Sequence, residues 1–169
     1  MGWEMTKVER IDTNGLNTMI SHSLSLFQML EESIKQYLQL AYEIISERSK
    51  DIPFNMQLYE ENDSLGTLIR KFQKLTNNKQ LIEDLKKVTK DRNRIVHRLW
   101  RSFFDEVSNT VTRAQHRSSE IFGQAIGNVS LRYVKELIEV SKKTTACLTS
   151  LQTEYQRLQK RKEVESKED

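Results

Sequence analysis

Very little in this sequence breaks a helix. Pro53 is the single proline, and only five glycines occur in 169 residues. Each such residue interrupts or weakens the i to i−4 hydrogen-bond ladder, so their scarcity favours long, continuous helices. Cys147 is the one cysteine. A disulfide within the chain is therefore impossible and a thiolate metal cluster is excluded, and a reducing compartment, the cytoplasm, is the simplest expectation. Nowhere do about eighteen apolar residues run together, so no membrane-spanning helix is expected. Residues 1–14 are polar and carry Glu4, Glu9 and Asp12, which leaves no apolar segment for a secretion signal. Strict alternation of apolar and polar residues between turns is missing too, and with it any support for a sheet.

What is present suits a folded helical protein with charged outer faces: 37% of residues are hydrophobic and 30% charged. The length allows one domain with a real core. It is expected over residues 15–160, followed by a charged and disordered tail over 161–169. Leu16, Met19, Ile20, Leu24, Phe27, Leu30, Ile34, Tyr37, Leu38, Ala41, Ile44 and Ile45 recur at three- and four-residue steps. That is the stripe of an amphipathic helix, with Thr13 or Asn14 available to cap its start. Residues 52–63 read as a connection. Ser64 is placed to cap a short helix that buries Leu65, Leu68, Ile69, Phe72 and Leu75, and Asn77-Asn78 should end it.

A third helix is expected from Lys79 to Phe104 or beyond, with Leu81, Leu85, Val88, Ile95, Val96, Leu99 and Phe103 in one arc. Gly123 and Gly127 predict a break. A last helix should run over residues 130–160, with Leu131, Val134, Leu137, Ile138, Leu148, Leu151, Tyr155 and Leu158 inward. The fold class is all-α, an up-and-down bundle of four to five helices.

The net charge is only +3, yet residues 86–101 hold seven basic side chains (Lys86, Lys87, Lys90, Arg92, Arg94, Arg98 and Arg101) against the single acid Asp91. Phosphate is the obvious partner for so concentrated a patch. At about 100° per residue, Arg92 falls near the centre of the apolar stripe of its helix. A guanidinium there costs desolvation unless something pairs with it. Asn93, His97, Trp100 and Phe104 share a second ridge on the flank, with Asn93 and His97 one turn apart.

Arg92-Asn93-Arg94-Ile95-Val96-His97 resembles the Arg-polar-x-x-x-His signature of HEPN domains, in its asparagine form. The preceding Leu65-Gly66-Thr67-Leu68-Ile69 helix is similar to those found before the motif in related bacterial proteins, and the likeness spans residues 15–160. The resemblance implies a metal-independent endoribonuclease without a cofactor, such as a toxin or phage-defence effector held by an antitoxin protein. In degenerate members it implies binding of RNA or nucleotide without cleavage.

Arg92, Asn93 and His97 would be the catalytic set, with RNA along Lys90, Arg94, Arg98 and Arg101. The chemistry is sound: RNA cleavage through its own 2′-hydroxyl needs a base, an acid and positive charge on the transition state. Histidine suits the first two tasks and arginine the third. One chain supplies one histidine from this motif. A homodimer apposing two such helices, as the family resemblance implies, would supply the second.

Each residue also has a plainer account. His97 alone fits a structural histidine. Arg94, Arg98 and Arg101 fit a solvated face, and Trp100 and Phe104 fit core as well as dimer contact or base stacking. His116 and Glu120, four apart, could ligate a metal or form a surface pair, and no metal site is expected from them. A structural bundle that pairs with another chain is a third possibility. Against it, Ser141 and Thr145 sit where a coiled-coil seam would want apolar residues.

Overall fold

The computed structural model describes residues 7–49, 60, 63–114 and 119–165. Every regular element in them is helical: α1 (Lys7–Arg48), α2 (Leu65–Gln73), α3 (Lys79–Arg94), a π-helical turn (Ile95–Leu99), α4 (Trp100–Ala114) and α5 (Ser119–Glu165). The class is all-α, as the sequence predicts. Most of the connection expected at residues 52–63 lies outside the described residues, as do His116 and residues 166–169.

Contacts gather the described residues into two compact units. One comprises those up to Ser25 together with Lys90–Lys142, the other Leu26–Thr89 together with those from Lys143 onward. The second unit has the larger apolar core. Its part of α1 buries Phe27, Leu30, Ile34, Tyr37 and Leu38, against Leu65, Leu68 and Phe72 of α2, Leu81, Leu85 and Val88 of α3, and Cys147 and Leu151 of α5. Fully burying one such leucine contributes about 1.5–3 kcal/mol. Tyr37 and Phe72 meet edge to face with ring centroids 4.7 Å apart, and the Cys147 thiol, pushed up to about 11 by burial and then by Asp84, stays protonated and inert there.

The starts of α2 and α3 are each set by a side-chain cap. Ser64 lies in an extended conformation and its Oγ accepts from the Thr67 amide at 3.3 Å. After the turn, Asn78 Oδ1 accepts from the Leu81 amide at 3.1 Å and so caps α3.

In the first unit, Leu16 and Ile20 of α1, Ile95, Leu99 and Phe103, and Val129, Tyr133, Leu137 and Val140 of α5 are buried. The Phe103 and Tyr133 rings stand edge to face at 5.6 Å. Polar groups are buried here as well: Ser23 Oγ donates to the Met19 carbonyl at 2.9 Å and lies 3.1 Å from Ser141 Oγ.

Several expectations are corrected. Thr13 and Asn14 do not cap α1, because the helix already runs from Lys7. Gly123 and Gly127 do not break the chain but lie inside α5, where a glycine costs only about 1 kcal/mol against alanine. Leu131 and Ile138, expected inward, are 50% and 36% exposed, and Val96 is 43% exposed. The inward face of α5 is instead carried by Val129, Ser130, Tyr133, Leu137, Val140, Ser141 and Thr144. Toward its end α5 continues to Glu165, and Lys162 bridges Glu43 at 3.0 Å and Glu47 at 3.1 Å.

Two substitutions test this description. Gly15 sits within α1 without a positive φ, and a Cβ added to it would meet nothing within 4 Å. Gly15→Ala should therefore add about 0.5–1 kcal/mol. Thermal unfolding would then shift upward by about 2–4 °C for each kcal/mol in a chain of this size. A lowered midpoint would place Gly15 outside a regular helix. Ser130 is buried, and its Oγ has no hydrogen-bond partner among the described residues. Ser130→Ala should therefore leave stability equal or raise it by about 1 kcal/mol. Denaturant unfolding showing a loss of that size would mean the hydroxyl is satisfied.

Candidate functional site

All of the sequence-designated residues fall on one stretch of the first unit, from the end of α3 through the π turn into α4. The π turn is the local feature that sequence counting did not anticipate. Ile95, Leu99 and Phe103 are buried in steps of four residues. In an α-helix of about 3.6 residues per turn, each such step overshoots by about 40°. A turn closed by i to i+5 hydrogen bonds takes in an extra residue and absorbs the overshoot. The three apolar side chains stay on one side, and Val96 is left on the flank.

Arg92 is half-buried, in keeping with its place near the stripe, and its Nη1 donates to Asn93 Oδ1 at 3.3 Å. Asn93 thus holds an arginine. Asn93, His97, Arg98 and Arg101 are exposed, as is Lys90. His97 is the middle residue of the π turn. Phe104 is 59% exposed, although its ring lies 5.6 Å from that of Phe103. The Trp100 side chain lies outside the described residues.

Arg94 stands apart from the other cations. It pairs with Glu136 of α5 and, at 3.6 Å, with Asp91 one turn back. Its charge is therefore largely matched within the protein, although its side chain is exposed like those of Arg98 and Arg101. Asp91 was legible as an i, i+3 partner; Glu136, far along the chain, gave no signal. A second tie joins the same helices: Glu106 accepts from Arg132 and, at 3.2 Å, from the Tyr133 hydroxyl. Burial pushes that hydroxyl's pKa upward, and the Glu106 carboxylate adds to the shift.

What this arrangement offers chemically is an exposed imidazole, a hydrogen-bonded guanidinium one turn earlier, and exposed cations on either side. No cluster of three or more histidine, cysteine or acidic side chains suited to a metal occurs among the described residues. No helix among them is long and apolar enough to cross a membrane. Compared with protein-family models, with curated proteins and with solved structures, the chain matches none.

The π turn makes a direct prediction. Deleting Val96, which is exposed within it, should restore an α-helical ladder and cost less than about 2 kcal/mol. Deleting Glu83, in the unbroken part of α3, should swing Leu85 and Val88 about 100° off the core and cost more than about 4 kcal/mol. Equal losses in urea unfolding would show that no extra residue is accommodated at 95–99.

Proposed function

We propose that the protein is an endoribonuclease of the HEPN type, in which Arg92, Asn93 and His97 form the catalytic set. The observation that carries this reading is the Arg92–Asn93 hydrogen bond directly before an exposed histidine held in a π turn. Such turns are costly, and they recur at functional sites. His97 would draw the proton from a ribose 2′-hydroxyl, whose oxygen then attacks the adjacent phosphorus. The bond from phosphorus to the 5′-oxygen breaks, and that oxygen takes a proton. The products are a 2′,3′-cyclic phosphate end and a 5′-hydroxyl end. Arg92, oriented by Asn93, would neutralise the charge gathering on the phosphate oxygens.

The leaving oxygen needs an acid while His97 is occupied as base. A second copy of the chain, presenting its own His97, supplies it with no further residue type, so the active form is proposed to be a homodimer. Lys90, Arg98 and Arg101 would guide the RNA backbone, while Arg94, already matched by Asp91 and Glu136, would contribute least. A cellular role as a toxin or defence effector, with an antitoxin partner, belongs to the same proposal.

Purified protein should cut single-stranded RNA in the presence of a chelator and leave 2′,3′-cyclic phosphate ends. His97→Ala should slow cleavage by about 10²–10⁴-fold, and Arg92→Ala by about 10²–10³-fold. Both residues touch solvent, so circular dichroism and melting should change little. Undiminished cleavage in both variants would sink the catalytic assignment. RNA that is bound with steep salt dependence but left intact would point to the non-catalytic binding module instead.

A further inference from the structure

A second site is built into the other unit. Where the end of α2, the turn after it and the C-terminal part of α5 come together, a cavity of about 360 Å³ opens to solvent. That is within the usual range for small-ligand sites, about 300–1,000 Å³. Its α5 wall carries Arg157 and Arg161, four residues apart and so on one face. Asn77 and Asn78 form the opposite edge, immediately before the first turn of α3. The helix dipole favours negative charge at that end, while the Lys79, Leu81 and Ile82 amides are already taken by Asn77 and Asn78.

The one carboxylate in the wall is already occupied. Glu154 Oε1 accepts from Asn78 Nδ2 at 2.9 Å and from Arg157 Nη1 at 2.8 Å. Its charge fixes Arg157 and Asn78 in place across the opening. No ion pair engages Arg161 among the described residues. Arg161 lines the cavity together with Tyr37 and Glu154. Burial raises the pKa of the Tyr37 hydroxyl at its base, the Thr76 hydrogen bond lowers it, and Glu154 and then Arg161 act in opposite directions on it. Arg157 and Asn78 each spend an N–H on Glu154, so the donors left for an oxyanion are the Arg161 guanidinium and the remaining N–H groups of Arg157, planar groups suited to phosphate oxygens.

We propose that this cavity binds the phosphate group of a small phosphorylated compound, with Arg161 as its main charge partner. The remaining N–H groups of Arg157 complete the clasp. The volume exceeds what a bare oxyanion needs, which favours an ester whose organic part lies against Leu75 and Leu158. The inference is independent of the ribonuclease reading, since no residue is shared between the two.

Isothermal titration of the full chain with inorganic phosphate and with ribose 5-phosphate, in low-chloride buffer, tests it. Saturable binding at one site per chain is expected, and Arg161→Gln should weaken it about tenfold or more. Lys142→Gln, an exposed change on the same helix with its own partner Glu139 at 2.7 Å, should leave it unaltered. Tighter binding of the ester identifies an ester as the ligand, and equal affinity identifies free phosphate; both support the site. Absence of saturable binding by either probe, or an equal loss in Lys142→Gln, overturns it. Arg161 is exposed and bears no packing role, so the decisive variant should fold as the parent does.

Discussion

A helix keeps one face buried only while its apolar residues stay in phase with its turn. From Leu81 to Phe103 this chain changes phase, and the π turn at Ile95–Leu99 is where it does so. Leu81, Leu85 and Val88 follow three- and four-residue steps that an ordinary α-helix can track. Ile95, Leu99 and Phe103 follow steps of four only. Without a wider turn, the later residues would rotate away from Leu137 and Tyr133, with which they share the core of the first unit. The same distortion sets His97 and Val96 outward. Packing in the interior thus dictates what is displayed on the surface.

That dependence explains which features could be read in advance. The all-α class, the Ser64 cap and the long stripe of α1 follow from local chemistry: few breakers, a hydroxyl acceptor at a helix start, and regular spacing. The phase of α5 did not follow, because its inward face is partly polar. Ser130, Ser141 and Thr144 are buried there, and a wheel centred on the large apolar residues turned Leu131 and Ile138 inward in their place. Small hydroxyl residues can line an interior when a helix carbonyl or a neighbouring hydroxyl satisfies them, as Met19 and Ser141 do for Ser23. Nothing in the local pattern distinguishes such a face from an exposed one. Glycine misled for a related reason. The cost of Gly123 or Gly127 within a helix is small beside the burial gained by the residues around it.

Charge was legible as a concentration and not as an assignment. The cluster at residues 86–101 is real in sequence, yet its members differ in what they are free to do. Lys86 and Lys87 pair with Glu83 and Asp84, each at 3.0 Å, and Arg94 pairs with Asp91 and Glu136. Exposed pairs of this kind contribute about 0–1 kcal/mol, so they stabilise little. Their larger effect is to thin the local positive field, leaving Lys90, Arg98 and Arg101 as exposed cations with no ion pair among the described residues.

Among the described residues, the unit that carries this motif also holds most of the large apolar side chains left in solvent. Val96, Phe104, Leu131 and Ile138 belong to it, against Met29 and Val164 in the other. Leu131 and Ile138, seven residues apart, share one face of α5. Exposed apolar residues mark surfaces that other chains cover where they form one contiguous patch, and are ordinary where they stand singly. The proposed reaction independently asks for a second copy, because one histidine is short of an acid and a base together. Both bear on the same unit: the proposed chemistry asks for two copies, and these exposed apolar residues lie on the unit that carries the motif. Pairing near residues 95–104 would bring each His97 toward its counterpart, whereas pairing through Leu131 and Ile138 would engage α5. The position of the interface therefore decides whether a dimer is an active cleft or only an assembly.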